Sequence, residues 1–260
     1  MFEKENGMEL LTSRLSKGKI IVIGGRPAMG KTALALSIVA ESKLNFFALT
    51  LEGNNRSYEK KLASIILKKQ YLKSDYEQSN DDYEEIKKDG VYRQICNDHT
   101  ITIKELYDEL ENDLLSEVLI IDYIQLFRDD FANDVSPDLR IGYIMRELRK
   151  MANELGICII VISQLSRLVE QRTGHRPMLT DLKDSGSLEA DSDEVWMLLR
   201  RDYYDPYDKP GMAEITIAKD REKSIGHWDS RIDLIFDKEY GGFINYSAVS
   251  NDDTDCDLSF

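Results

Sequence analysis

The stretch GGRPAMGKTALALSIVAES, residues 24–42, joins an apolar run to a segment of helical spacing, and its reading decides the fold. Ile20 to Ile23 read as a short buried strand, while Leu34 with Ile38 and Ala35 with Val39 fall at i, i+4. Between them Gly25, Gly30, Lys31 and Thr32 spell G-x-x-x-x-G-K-T, with the glycines placed where a strand turns into a helix. A polyphosphate needs that architecture. Backbone N–H groups of a glycine-rich turn wrap phosphate oxygens, the helix N-terminus adds a favourable dipole, and Lys31 supplies a point charge near the β and γ positions. Gly25, Arg26, Pro27, Ala28, Met29, Gly30, Lys31 and Thr32 are therefore the expected ATP-binding set, with the Thr32 hydroxyl on magnesium.

A chain of 260 residues with 42% hydrophobic content can bury one sizeable core. Residues 1–247 read as a single domain with a lead-in at 1–18, and residues 248–260 as an acidic tail. Cys96, Cys158 and Cys256 lack C-x-x-C spacing, so neither a disulfide framework nor a zinc site is suggested, and a reducing cytoplasm fits. The N-terminus has no apolar signal region, and runs such as ICIIVI are too short to span a bilayer, so no membrane role is expected. A net charge of −14 argues against attraction of the whole molecule to nucleic acid. A local basic channel stays open, because arginines cluster in LRKM, QLSRLVEQRTGHRP and LLRR.

Further along, LNFFALTLE reads as a second buried strand ending at Glu52. Tyr58, Leu62, Ile65 and Ile66 predict an amphipathic helix, and residues 72–90 a loop or exposed helices. ITIKELYDELENDLLSE predicts a helix leading into the strand VLIIDY, and Ile144, Leu148, Met151 and Leu155 stripe another that Gly156 can terminate. After the strand ICIIVISQ, residues 164–187 are polar, basic and too long for a mere connection. EVWMLLR, AEITIAK, SRIDLIFD and GGFINYS read as strands, the last three suited to antiparallel hairpins. The expected fold is α/β: a twisted, mostly parallel sheet flanked by helices, with antiparallel C-terminal strands.

Hydrolysis of a γ-phosphate also needs metal ligands and a group to orient water. Asp122 closes an apolar strand where a Walker B carboxylate would hold the magnesium shell. Glu52 follows another such strand and could polarise the attacking water. Gln164 ends a third and could hydrogen-bond the γ-phosphate. Lys219 and Arg221 alternate at a strand end, where such residues are usually solvated. LKDSG reads as a turn with a helix-start signal, and Arg172 and Arg176 as surface charges.

The ordered set GRPAMGKT, LTLE, VLIIDYIQLF, VISQLSRLVEQR, HRPMLTDLKDSGSLEADSDEVWMLLRRDYY and ITIAKDR resembles the C-terminal ATPase domain of the DnaB family of replicative DNA helicases. The match runs from about Gly7 to Tyr246 and is most specific from Ser163 to Tyr204. It implies a RecA-like P-loop NTPase fold that assembles into homo-oligomeric, hexameric rings, with ATP bound between subunits. By motif, Glu52 would be the catalytic carboxylate, Asp122 the Walker B residue and Gln164 the γ-phosphate sensor. Lys219 and Arg221 would act in trans on the next subunit's nucleotide. Lys183, Asp184 and the backbone of Gly186 would hold single-stranded DNA phosphates, with Arg172 and Arg176 nearby.

The sequence departs from the family pattern at several points. With about eighteen residues before the first strand, the N-terminal helical domain and linker helix are expected to be absent. E-M-S after the catalytic carboxylate becomes E-G-N, N-G-P after Arg221 becomes EKS, the helix before Walker B is acidic, and the usual DNA-loop arginine is Lys183. The sequence reading is thus an ATP- and magnesium-dependent DnaB-type motor acting on single-stranded DNA in replication. The alternative is an ATP-switched adaptor of a replicative helicase without unwinding activity of its own. The tail NDDTDCDLSF, with Leu258 and Phe260 behind its aspartates, is expected to dock a replication protein.

Overall fold

The computed structural model describes residues 6–71, 76–113, 115–127, 135–182, 185–222 and 231–246. Lys183, Asp184 and the acidic tail lie outside these residues. In chain order the elements are α1 (Gly7–Thr12), β1 (Ile20–Gly25), α2 (Lys31–Ser42), β2 (Phe46–Thr50), α3 (Asn55–Leu67), α4 (Tyr76–Ile86), β3 (Arg93–Cys96) and α5 (Ile103–Asn112). There follow β4 (Val118–Asp122), α6 (Pro137–Leu155), β5 (Cys158–Gln164), α7 (Ser185–Asp191), β6 (Glu194–Arg200), β7 (Met212–Asp220), β8 (Arg231–Asp237) and β9 (Gly242–Asn245).

The strands form one sheet in the order β3-β2-β4-β5-β1-β6-β7-β8-β9. From β3 to β6 all neighbours are parallel, and β6 to β9 are antiparallel. The unbroken apolar run of β1 has a simple cause: it is buried on both faces. Ile21 and Ile23 pack into the layer that holds α1, α2 and α3, while Ile20 and Val22 pack into the layer of α5, α6 and α7. Parallel strands covered by helices on both sides read as continuous hydrophobic segments for this reason. Local signals set the helix ends. Thr102 and Glu105 form a reciprocal capping box on α5, Pro137 takes the first position of α6, and Gly156 closes α6 in the left-handed conformation.

The architecture agrees with the expected fold, and the differences are local. The lead-in carries α1, whose Met8 and Leu11 are buried in the core. The second strand ends at Thr50, two residues before Glu52. β3 has no counterpart in the sequence reading. Its four residues lie at the sheet edge and only Arg93 is buried, so the segment lacks the apolar run that marks the inner strands. The polar stretch after β5 is more ordered than its composition suggests. Three short 3-10 turns lead to Leu182, which bridges back to Leu165, and α7 begins just beyond. Among the described residues no helix is long and apolar enough to cross a membrane.

Candidate nucleotide site

β1, β2, β4 and β5 run parallel, so their C-terminal ends share one edge of the sheet, where open α/β folds bind ligands. Each of these ends leads into a residue that the sequence singles out. β1 ends in Gly25, and the loop to α2 turns through Ala28 at φ 60° and Gly30 at φ 98°. Gly30 is required on two counts: its φ is left-handed, and a Cβ there would lie 3.2 Å from the Phe243 ring. A Cβ at Gly25 would lie 3.0 Å from the Lys31 stem. Lys31 and Thr32 open α2, so the first N–H groups of this helix point toward the loop.

At the end of β4 the Asp122 carboxylate accepts a 2.6 Å hydrogen bond from the Thr32 hydroxyl. The Lys31 ammonium donates to the Arg26 carbonyl at 3.0 Å. Burial pushes Lys31 down to about 8, against the attraction of Asp122 and Glu52 and with help from Arg26. Burial likewise raises the Asp122 carboxyl, opposed by the Thr32 hydrogen bond and the charges of Lys61 and Lys31. Burial thus disfavours the charge on both groups, a cost that further counter-charges in the cleft can offset. A polyphosphate beside Lys31 and a divalent cation beside Thr32 and Asp122 would supply them.

These groups line a cleft of about 450 Å³, together with Pro27, Ala28, Glu52, Tyr123 and Gln164. Of the expected loop residues, Gly25, Arg26 and Met29 are not part of the lining. Met29 is buried in the core, and the Arg26 side chain turns away to donate to the Leu165 carbonyl and to Glu170. Glu52 is exposed, one residue past the buried Leu51, and Gln164 closes β5. Sequence reasoning missed Lys61 and Tyr123, which also face the cleft, and Gln125, whose side chain braces Ser163 and the Gln164 amide. Lys61 sits on the polar side of an amphipathic helix, where nothing in the local pattern distinguishes it from a solvated lysine.

Lys219 and Arg221 lie elsewhere. β7 is antiparallel to β6, and Lys219 stands opposite Val195, which pairs with Val22 midway along β1, while Arg221 lies nearer the strand's start. Their side chains meet the C-terminal end of α7: Lys219 donates to the carbonyls of Glu189 and Ser192, and Arg221 to that of Ala190. Gly186 is exposed on α7. Arg172 is paired with buried Asp181 at 2.7 Å, and Arg176 with buried Glu214 at 2.6 Å.

The fold and this cleft define a RecA-like nucleotide-binding domain. Residues 5–245 match the family model of the DnaB-like helicase C terminal domain, and the chain belongs to that family. It is 35% identical over 226 residues to a probable plasmid replicative DNA helicase of Chlamydia psittaci, covering 81% of this chain and 49% of the relative. It is 30% identical to the replicative DNA helicase DnaC of Bacillus subtilis (strain 168), covering 94% of this chain and 56% of that protein. The chain thus spans about half the length of the curated relatives it matches. Among solved structures, an ATPase domain aligns with TM-score 0.76 at 31% identity over 92% of this chain and 89% of its own. A DnaB-like replicative helicase, described with its interactions with primase, aligns with TM-score 0.74 at 31% identity over 89% of this chain and 58% of that one. The RadB recombinase, with TM-score 0.58 at 15% identity, shares the fold.

Proposed function

We propose that this chain is a magnesium-dependent ATPase motor of the DnaB type, which hydrolyses ATP between identical subunits of a hexameric ring and moves along single-stranded DNA in replication. One observation carries the reading: the cationic residues that hydrolysis requires are divided between opposite edges of the sheet. Lys31, Thr32, Asp122, Glu52 and Gln164 converge on the C-terminal edge. Arg221 lies at the level of Asp193, whose carboxylate accepts from the Ile20 amide at the start of β1. At about 3.3 Å per residue, β1 separates the two sets by roughly 15–20 Å. At that distance Arg221 is out of reach of a nucleotide held by its own chain, which supports its presentation by a second copy.

In this site the Lys31 ammonium and the loop amides would grip the β and γ phosphates, while Thr32 and Asp122 would hold magnesium. The metal, when bound, neutralises charge that builds on the phosphate oxygens. Glu52 orients and polarises the attacking water, and Gln164 senses the γ-phosphate from the strand end beside it. Lys219 and Arg221 of the neighbouring copy stabilise the transition state, a contribution worth about 10³–10⁵ in turnover for an arginine supplied in trans. For DNA, the Lys183 ammonium and the backbone N–H groups of Asp184 and Gly186 hold phosphates. Arg172 and Arg176 would contribute only through guanidinium N–H groups left over from Asp181 and Glu214. The acidic tail docks a replication partner through a basic-rimmed pocket, so deleting Leu258 to Phe260 should abolish that contact and spare ATPase activity.

The test is a pair of variants. Lys31→Ala is expected to abolish ATP binding, whereas Glu52→Gln binds ATP and does not turn it over; equal loss of binding in both would remove the assignment. Arg221→Ala is expected to be inactive alone and partly rescued by Glu52→Gln chains, since mixed interfaces then pair a sound arginine with a sound carboxylate. No rescue at any mixing ratio would overturn the shared site.

A further inference from the structure

Arg221 can stabilise a neighbour's transition state only if it is held in one place, and the structure shows what holds it. We propose that Asp193 is the positioning residue of the trans site: it fixes Arg221 in the orientation in which a second copy of this chain meets it. The proposal rests on the reading that Arg221 acts in trans.

Asp193 lies between the end of α7 and the start of β6, largely buried, and both of its carboxylate oxygens are engaged. Oδ1 faces Arg221 at 3.1 Å. Oδ2 accepts from the Ile20 amide at 2.8 Å and pairs with Arg149 of α6 at 2.7 Å. The Asp193 carbonyl in turn accepts the Arg221 amide at 2.8 Å, so backbone and side chain of the arginine are held by one residue. Arg149 ties the arrangement down further by donating to the carbonyls of Gly18 and Asp191. One carboxylate therefore joins β1, α6 and the end of β7.

The Arg221 side chain is 50% exposed, while that of Asp193 is 13% exposed. The carboxylate grips the guanidinium from the protein side and leaves its other face to solvent. A long, flexible cation that must meet a phosphate with correct geometry gains most from such an anchor, because the ordering cost is met before the neighbour arrives. Lys219 differs: its ammonium is committed to carbonyl oxygens alone at the α7 C-terminus, where the helix dipole favours a cation, whereas Arg221 gives one N–H to the Ala190 carbonyl and faces Asp193 with another.

The test uses the full chain with ATP and single-stranded DNA. Asp193→Asn retains an acceptor for the Ile20 amide and removes the charge. It is expected to lower kcat about ten- to a hundredfold with the KM for ATP unchanged, as loss of a transition-state contact requires. Mixing with Glu52→Gln chains should restore part of the rate, because the defect lies on the arginine-donating side. Adding Asp193→Asn to Arg221→Ala should cost nothing further, since both remove the same contact. Asp193→Glu, which retains a carboxylate, should fall between wild type and Asp193→Asn. If Asp193→Asn fails to fold, Asp193→Glu carries the same complementation test. An unchanged kcat, a rise in KM in place of a fall in kcat, or no rescue by Glu52→Gln chains overturns the proposal. Arg221→Ala inactive beside a fully active Asp193→Asn removes this inference alone, whereas a fully active Arg221→Ala removes the trans reading with it.

Discussion

At the scale of single residues, the phosphate loop was legible because its parts are contiguous: glycines, lysine and threonine stand within eight positions of one another. Gly30 illustrates how strict the local demand is. Its φ of 98° and the Phe243 ring, 3.2 Å from where a Cβ would stand, leave no place for a side chain. Gly30→Ala should therefore cost about 1–2 kcal/mol in folding stability from the left-handed backbone alone. It should also weaken ATP binding by displacing the loop amides. Thermal unfolding and nucleotide titration of the variant check both effects; an alanine variant with wild-type Tm and affinity would show that the loop tolerates the change. Residues whose role depends on distant partners were not legible in this way. Lys61 faces Asp122 across 61 positions of sequence, and Asp193 holds Ile20 and Arg149 from elements far apart in the chain. No pattern local to either residue records such a meeting.

At the scale of elements, burial on two faces made the inner strands readable, and exposure hid the rest. β3 and α7 are short and half polar, so periodicity has little to act on. Ion pairs lace the segment after β5: Arg172 to Asp181 within it, and Arg26 to Glu170 and Arg176 to Glu214 between it and the scaffold. Glu214 is the most heavily used of these. The alternation of β7 sends Ala213 and Ile215 into the core and Glu214 to the other face, where Arg176, Arg201, Lys209 and Arg231 surround it. Burial opposes its charge, yet the surrounding guanidinium groups hold its carboxyl below the ordinary 4.5. A carboxylate depressed in the fold contributes stability above that value and loses it as pH falls through the folded value. Glu214→Gln should then cost about 1–2 kcal/mol at neutral pH, because it removes the one buried charge that four partly exposed cations share. The penalty should shrink in acid, where the wild type has also lost the charge. Urea unfolding of both chains at neutral pH and below 4.5 measures this; a penalty independent of pH would remove the electrostatic account.

At the scale of the whole molecule, the proposed trans role of Arg221 would make catalysis a property of neighbours. On this reading, ATPase activity per chain should rise with protein concentration and fall toward that of Arg221→Ala on dilution, a loss of about 10³-fold or more. Activity proportional to concentration throughout would indicate a site complete within one chain. The chain's net charge of −14 sets a second condition, since like-charged copies repel. Salt should therefore lower the concentration at which activity appears, while weakening the hold on DNA phosphates. Rates measured across salt with and without single-stranded DNA separate the two effects.

If Arg221 acts in trans, the placement of Lys31 at one end of β1 and Arg221 beside the other also fixes how copies are counted. The contact would be head-to-tail, one chain's arginine edge against the next chain's phosphate edge, and such contacts do not terminate themselves. An open arc of such chains always ends in one unfinished phosphate site and one idle arginine, so it holds one working site fewer than it has members. Closing the arc adds a site without adding a chain. Parting a single seam, as any circle must to admit a strand without free ends, would silence one site and leave the others working.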